Sequence, residues 1–183
     1  MAAETERYEK IRRLADEAGF SCAPLDPSTL VPDPAVRAMC AEDRCRRYGA
    51  SWSCPPACGS LETLGKRMHR YSDGILLVSV IPVEGDFDIE GIREGDILHK
   101  KRFDTLVRQV RTFCPDILPL ASGSCTRCAK CTYPDAPCRF PDRLWPSMEA
   151  CGLFVSRVCG SCGMRYNNGP GTITFVSCIL FQR

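Results

Sequence analysis

Histidine is nearly missing from this chain: among 183 residues only His69 and His99 carry an imidazole. That scarcity excludes a histidine-rich metal cage and leaves no serine–histidine arrangement for nucleophilic catalysis. An excess of one charge sign is missing too. A formal net charge of +2 gives no electrostatic case for binding nucleic acid or a membrane surface. Nor is there a stripe of interleaved aromatic and basic side chains of the kind that stacks single-stranded bases. The longest apolar run, 75–83, is broken by Ser79 and Pro82 and is too short to span a bilayer. Residues 1–19 are charged throughout, so no secretory leader is expected there, and the protein is expected to be soluble and cytoplasmic. A glycine-rich phosphate loop is lacking as well. GSCTRC follows a predicted strand but opens into cysteines rather than a helix.

What the chain has in excess is cysteine, with 14. In a small secreted protein this would read as a disulfide framework. In a reducing compartment the thiols are expected to be metal ligands or buried apolar groups. With two histidines on hand, any metal site must be almost wholly thiolate. Soft sulfur favours iron–sulfur or zinc over calcium, magnesium or manganese.

The principal motif is GSCTRCAKCTYPDAPCR, which places Cys125, Cys128 and Cys131 two residues apart, with Cys138 following after six more. Such spacing lets a short loop wrap so that successive sulfurs face one centre. Three cysteines in step and a fourth beyond a proline-bearing loop suit a cubane iron–sulfur cluster, whose bacterial ferredoxin run has the same first two spacings. A four-thiolate zinc site and an unmetallated or disulfide-bonded loop are the alternatives. A second block, CAEDRCRRYGASWSCPPACG, carries Cys40, Cys45, Cys54 and Cys58. Proline directly after Cys54 stiffens the loop and removes a donor. Three cysteines leave a fourth position open. Cys58 could fill it locally, or Cys159 or Cys162 from far along the chain, and an open position also admits water or substrate. Buried reduced thiols around Tyr48 and Trp52 are the competing reading.

Cys159 and Cys162 form a CxxC that suits a redox pair, two ligands or a tight glycine-flanked turn. Cys22, Cys114, Cys151 and Cys178 read as inert core thiols. Arg44, Arg46, Arg47, Arg127, Lys130, Arg139 and Arg143 crowd the two blocks. Cations near a thiolate-ligated cluster stabilise its negative charge and raise its potential. The bland alternative is an ordinary solvated charge pattern.

CxxxxCRRYGxSWSCPP, followed by SGSCTRCAKC, CRFPDRLWPSMEACG and a final apolar strand, resembles the cysteine-rich predicted metal-binding family known as domain of unknown function 2284. The resemblance runs from about residue 36 to residue 181. It implies metal binding, with iron–sulfur foremost, in cytoplasmic proteins. Carried over by position, it implies Cys40, Cys45 and Cys54 with Cys125, Cys128, Cys131 and Cys138 as ligands. It supplies no reaction, and Cys159 and Cys162 do not resemble family positions.

The expected fold is α+β or α/β, a single domain over 1–183. A small mixed sheet is flanked by helices, with the cysteine loops at one end. Helical periodicity marks 5–18, a helix after a Ser60 cap with Leu61, Leu64, Met68 and Tyr71 on one face, and 96–113 capped by Asp96. Strands are expected at 20–25 (with Cys22 inward), 75–83, 116–121, 153–158 and 172–181, and one helical turn at 147–151. Residues 24–34 read as a proline-rich loop and 84–96 as a solvated acidic loop. Asp86, Asp88, Glu90 and Gly91 fall in step with a calcium loop, but Ile97 stands where its glutamate belongs. Three functions fit: an electron-transfer protein with one or two 4Fe-4S clusters and a redox partner protein, an enzyme with an open-coordination iron at Cys40, Cys45 and Cys54, and a zinc-stapled interaction module. For acid–base help the enzyme reading has only Glu42, Asp43 and Tyr48.

Overall fold

The computed structural model describes residues 2–85 and 87–182, so Asp86 of the rejected calcium loop lies outside the described residues. The helices are α1 (Ala2–Glu17), α2 (Pro34–Ala41), α3 (Leu61–Met68), α4 (Ile89–Arg111) and α5 (Val155–Ser161). The strands are β1 (Ser21–Leu25), β2 (Asp73–Pro82), β3 (Ile117–Leu120) and β4 (Thr172–Phe181). Among the described residues these strands form one sheet in the order β1-β2-β4-β3, and its three ladders are antiparallel. The fold is α+β.

The long apolar run of β2 has the composition it has because both of its faces are covered. Ile75 and Leu77, with Ile179 and Phe181 of β4, pack under α1 and α4 against Ile11, Phe103, Leu106 and Val110. Leu76 and Val78, with Val176, Cys178 and Leu180, face the opposite way, toward Leu64 and Met68 of α3 and Val155 and Val158 of α5. The result is three layers, with α1 and α4 on one side of the sheet and α3 and α5 on the other. Ser79 and Ser177 interrupt the first face, and both ring nitrogens of His99 hydrogen-bond to their hydroxyls at 2.9 and 2.8 Å. Gly95 lets α4 come this close, since a Cβ there would stand 2.9 Å from the Phe175 ring. Burial pushes the His99 pKa down from 6.5 to about 3, so the imidazole is neutral.

Four expectations are corrected. Pro34, placed at the end of the proline-rich loop, instead opens a helix over 34–41 for which no element was expected, because Asp33 caps it through Ala35 N–H and Pro34 starts it with a preset φ. Helix α4 begins at Ile89 rather than 96, capped by Asp88, so much of the acidic loop is helical. Residues 153–158 are not a strand; from Val155 they belong to α5. Cys22 is only half-buried, with its thiol 3.4 Å from an Asp16 carboxylate oxygen. No helix among the described residues is long and apolar enough to cross a membrane.

Candidate metal centre

Beyond β3 the chain turns through Gly123, in a left-handed conformation, into the 125–138 loop. Cys125, Cys128, Cys131 and Cys138 all line one small cavity of about 20 Å³. The loop braces itself: Ala136 N–H donates to the Thr132 carbonyl, and the Thr132 hydroxyl to that of Pro137. Arg139 donates to the Lys130 carbonyl at 3.0 Å. Trp52 then fastens the loop from outside, its indole N–H donating to the Ala136 carbonyl and its ring meeting Tyr133 edge-on at 4.9 Å.

The sulfurs are supplied with donors. Phe140 N–H points at Cys138 Sγ at 3.4 Å. Slight burial works to raise the Cys131 thiol, but the backbone N–H groups of Tyr133 and Trp52 and the Ser51 hydroxyl outweigh it, so its pKa lies below the ordinary thiol value. Hydrogen bonds to sulfur are also what tunes a thiolate-ligated centre.

On the α4 side the loop is held by charge. Asp104, only 7% exposed, receives Arg127 at 2.5 Å and also Arg143. Burial works to raise the Asp104 carboxyl, yet the hydrogen bonds and charges of Arg143 and Arg127 prevail and hold its pKa below the usual value. Two of the arginines read as cluster cations are therefore partly neutralised by this aspartate. Asp104 was missed in the sequence, although an acid beside Phe103 on the apolar face of a helix is the signal of such a buried pair.

Cys40, Cys45 and Cys54 meet around a second cavity of about 210 Å³. Cys40 ends α2. Cys45 sits in a turn where Asp43 and Arg46 hold φ of 51° and 54°, a conformation that costs a non-glycine residue energy and is kept only where the surroundings impose it. Asp43 repays part of this by accepting Tyr48 N–H at 2.8 Å. The far wall is the 147–151 turn, with Glu149 facing the same cavity. Gly152 (φ +80°) closes that turn against α2: its carbonyl accepts Asp33 N–H at 2.8 Å, and a Cβ there would lie 2.7 Å from Leu61. Arg37 stitches the same parts together through the carbonyls of Gly59 and Ala150. Burial raises the Cys40 and Cys54 thiols, with the Glu149 charge adding at Cys40.

The two cavities are joined by the serines of SWSC. Ser51 and Ser53 are 2% and 1% exposed, and their hydroxyls are 3.1 Å apart. Ser51 reaches Cys131, while Ser53 lies 3.7 Å from Cys54 Sγ and accepts Cys125 N–H at 3.0 Å. Arg47 also lines both cavities.

Other cysteines lie elsewhere. Cys58 neighbours the second set electrostatically, but its thiol sits 3.9 Å from the Ala150 carbonyl and packs against the core instead of lining the cavity. Cys159 is fully buried at the end of α5, its pKa pushed up to about 11 by burial, and Cys162 packs against the same core. The CxxC is thus a helix-terminal turn with both thiols inward, away from the other sites. Cys114, Cys151 and Cys178 are buried. Among the described residues no three thiol, imidazole or carboxylate groups converge closely enough to grip one ion; the donors ring spaces rather than a point.

The model of a family described as "Predicted metal-binding protein (DUF2284)" matches residues 23–181. The chain belongs to this family. The matched span of DUF2284 takes in both thiol-lined cavities and every strand except the first two residues of β1. No curated protein and no solved structure matches the chain. The donor set accords with the DUF2284 description: soft thiols gathered in two places, with polar support and no competing histidine.

Proposed function

We propose that this DUF2284 member is a cytoplasmic iron–sulfur protein that exchanges electrons with a redox partner protein. A 4Fe-4S cluster would be held by Cys125, Cys128, Cys131 and Cys138, and a second centre by Cys40, Cys45 and Cys54. When bound, such clusters supply reversible one-electron exchange. The observation that carries the reading is the joining of the two thiol-lined cavities through Ser51 and Ser53. Those hydroxyls touch sulfur on both sides and are sealed from water, so they stabilise thiolate charge at each centre together. Arg47, shared by both cavities, adds positive charge between them. Arg44 beside the second block is exposed but ion-paired with Glu42, so an acidic face of the partner would dock there by competing with that carboxylate.

The test is anaerobic purification with iron, zinc and acid-labile sulfide analysis, followed by electron paramagnetic resonance during reduction and reoxidation. Iron with sulfide and a reversible signal is the expected result. Zinc without sulfide would replace this reading with a zinc-stapled module.

A second reading, an enzyme with an open metal position at Cys40, Cys45 and Cys54, is favoured by the three-thiol lining of that cavity. Ser124 of the same cavity also borders a wider cleft of about 530 Å³ beside α4, lined by Lys100, Lys101 and Trp145. A compound that turns over, or that changes the spectrum of that centre, would establish it.

A further inference from the structure

Three thiols face the second cavity, and the group standing with them is a carboxylate. Glu149 lines the same space as Cys40, Cys45 and Cys54, and its Oε2 is buried with no hydrogen-bond partner among the described residues. A buried carboxyl oxygen without a hydrogen-bond partner is expensive, and in a native fold it calls for a specific explanation such as an ion. Arg37 makes no hydrogen bond to that atom: its two terminal nitrogens are given to the carbonyls of Gly59 and Ala150, and its Nε is likewise buried without a partner among the described residues. The segment is nonetheless firmly placed. Ser147 Oγ accepts Ala150 N–H at 3.0 Å, and Gly152 pins the end of the turn to Asp33. The Glu149 carbonyl itself lies 4.0 Å from Cys40 Sγ.

We propose that Glu149 is the fourth protein ligand of the centre held by Cys40, Cys45 and Cys54, making it a mixed thiolate–carboxylate centre. This rests on the iron–sulfur reading above. Iron–sulfur centres accept non-cysteine ligands, and such ligands shift their properties away from those of all-thiolate clusters. The α5 pair, Cys159 and Cys162, is turned to the core; Cys58 neighbours Cys40 and Cys54 electrostatically but packs against the core and does not line the cavity. A carboxylate is a harder donor than thiolate. The iron it holds is therefore the one from which a protein ligand is most easily displaced by an added molecule.

The experiment uses the full chain, purified anaerobically, both as wild type and with Cys128→Ala so that the second centre is seen alone. Glu149→Gln, Glu149→Ala and Glu149→Cys are compared by iron and sulfide content, Mössbauer spectroscopy and electron paramagnetic resonance, with cyanide as the added ligand and circular dichroism to confirm folding. The parent is expected to show one iron distinct from the rest. Glu149→Cys should merge it with them, and Glu149→Ala should respond to less cyanide than the parent or lose iron while still folded. Iron and sulfide present, with spectra and cyanide response unchanged in all three variants, would overturn the Glu149 assignment alone. Absence of iron and sulfide from the wild type would overturn both this assignment and the reading beneath it.

Discussion

Cys125, Cys128, Cys131 and Cys138 come from one continuous loop, whereas Cys40, Cys45 and Cys54 share their cavity with a turn from the far end of the chain. The first set is uniformly half-buried and furnished with N–H and hydroxyl donors, and Cys131 is held below the ordinary thiol value. The second set is uneven, with Cys45 exposed and Cys54 buried, and burial raises its Cys40 and Cys54 thiols. The first is tied to α4 by Asp104; the second depends on Gly152, Asp33 and Arg37. A local loop prepares its ligands by hydrogen bonding, while an assembled site must wait for tertiary structure to bring its parts together.

The strongest way to break this contrast is to delete one thiol from each site. Cys128→Ala should abolish metal in the loop and leave the second centre loaded, and Cys54→Ala should do the reverse. Metal analysis and electron paramagnetic resonance distinguish the two, and loss of both centres from either variant would show that they are one unit. Next comes acid. The folded pKa of His99, about 3, lies below its ordinary 6.5, so the unfolded chain takes up the proton first. The contribution is whole above pH 6.5 and is lost as pH falls toward 3, at roughly 1.4 kcal/mol per pH unit. Between pH 6.5 and 4.5, the stability read from urea unfolding should therefore fall by about 2 kcal/mol. Because His99 seats α4, the loop should loosen before the second site does. A flat urea midpoint across that range would refute the assignment.

Gly152→Ala aims at the other site. Left-handed backbone and a Cβ clash with Leu61 and the Asp33 amide should cost about 2 kcal/mol in thermal unfolding. Metal should be lost from the Cys40 side only. The mildest change is Ser53→Ala, which deprives Cys125 N–H of its acceptor and Cys54 of its hydroxyl at about 1 kcal/mol. Removing hydrogen bonding near the sulfurs should lower the reduction potentials of both centres. An effect on one centre alone would mean that the serines do not join them.

What could be read from the sequence follows the same division. The strand pair β2 and β4 and the Ser60-capped start of α3 rest on local pattern and lie where the pattern put them, although α3 stops at Met68 and leaves Tyr71 outside the helix. Helix α2 was hidden by its prolines, although Asp33 before Pro34 is a helix start. The early turns of α4 were masked by Gly91, which makes room for the capping Asp88 carboxylate, and by Gly95, whose close packing only the sheet explains. Val155 and Val158 suggested a strand, yet the turn closed by Gly152 leads the chain into α5 instead. Glu149 carries no local mark of its proposed role, and Asp104 only its place beside Phe103 on an apolar helix face, because each draws its meaning from residues distant in sequence.

Strand β4 follows every cysteine of the two sites in the chain, yet it lies between β2 and β3 rather than at an edge. Until it slots in, β3 has no neighbour and the turn bearing Glu149 has no floor. A nascent or truncated chain ending before Thr172 would offer its thiols to passing oxidants and stray metals, with no scaffold to choose among them.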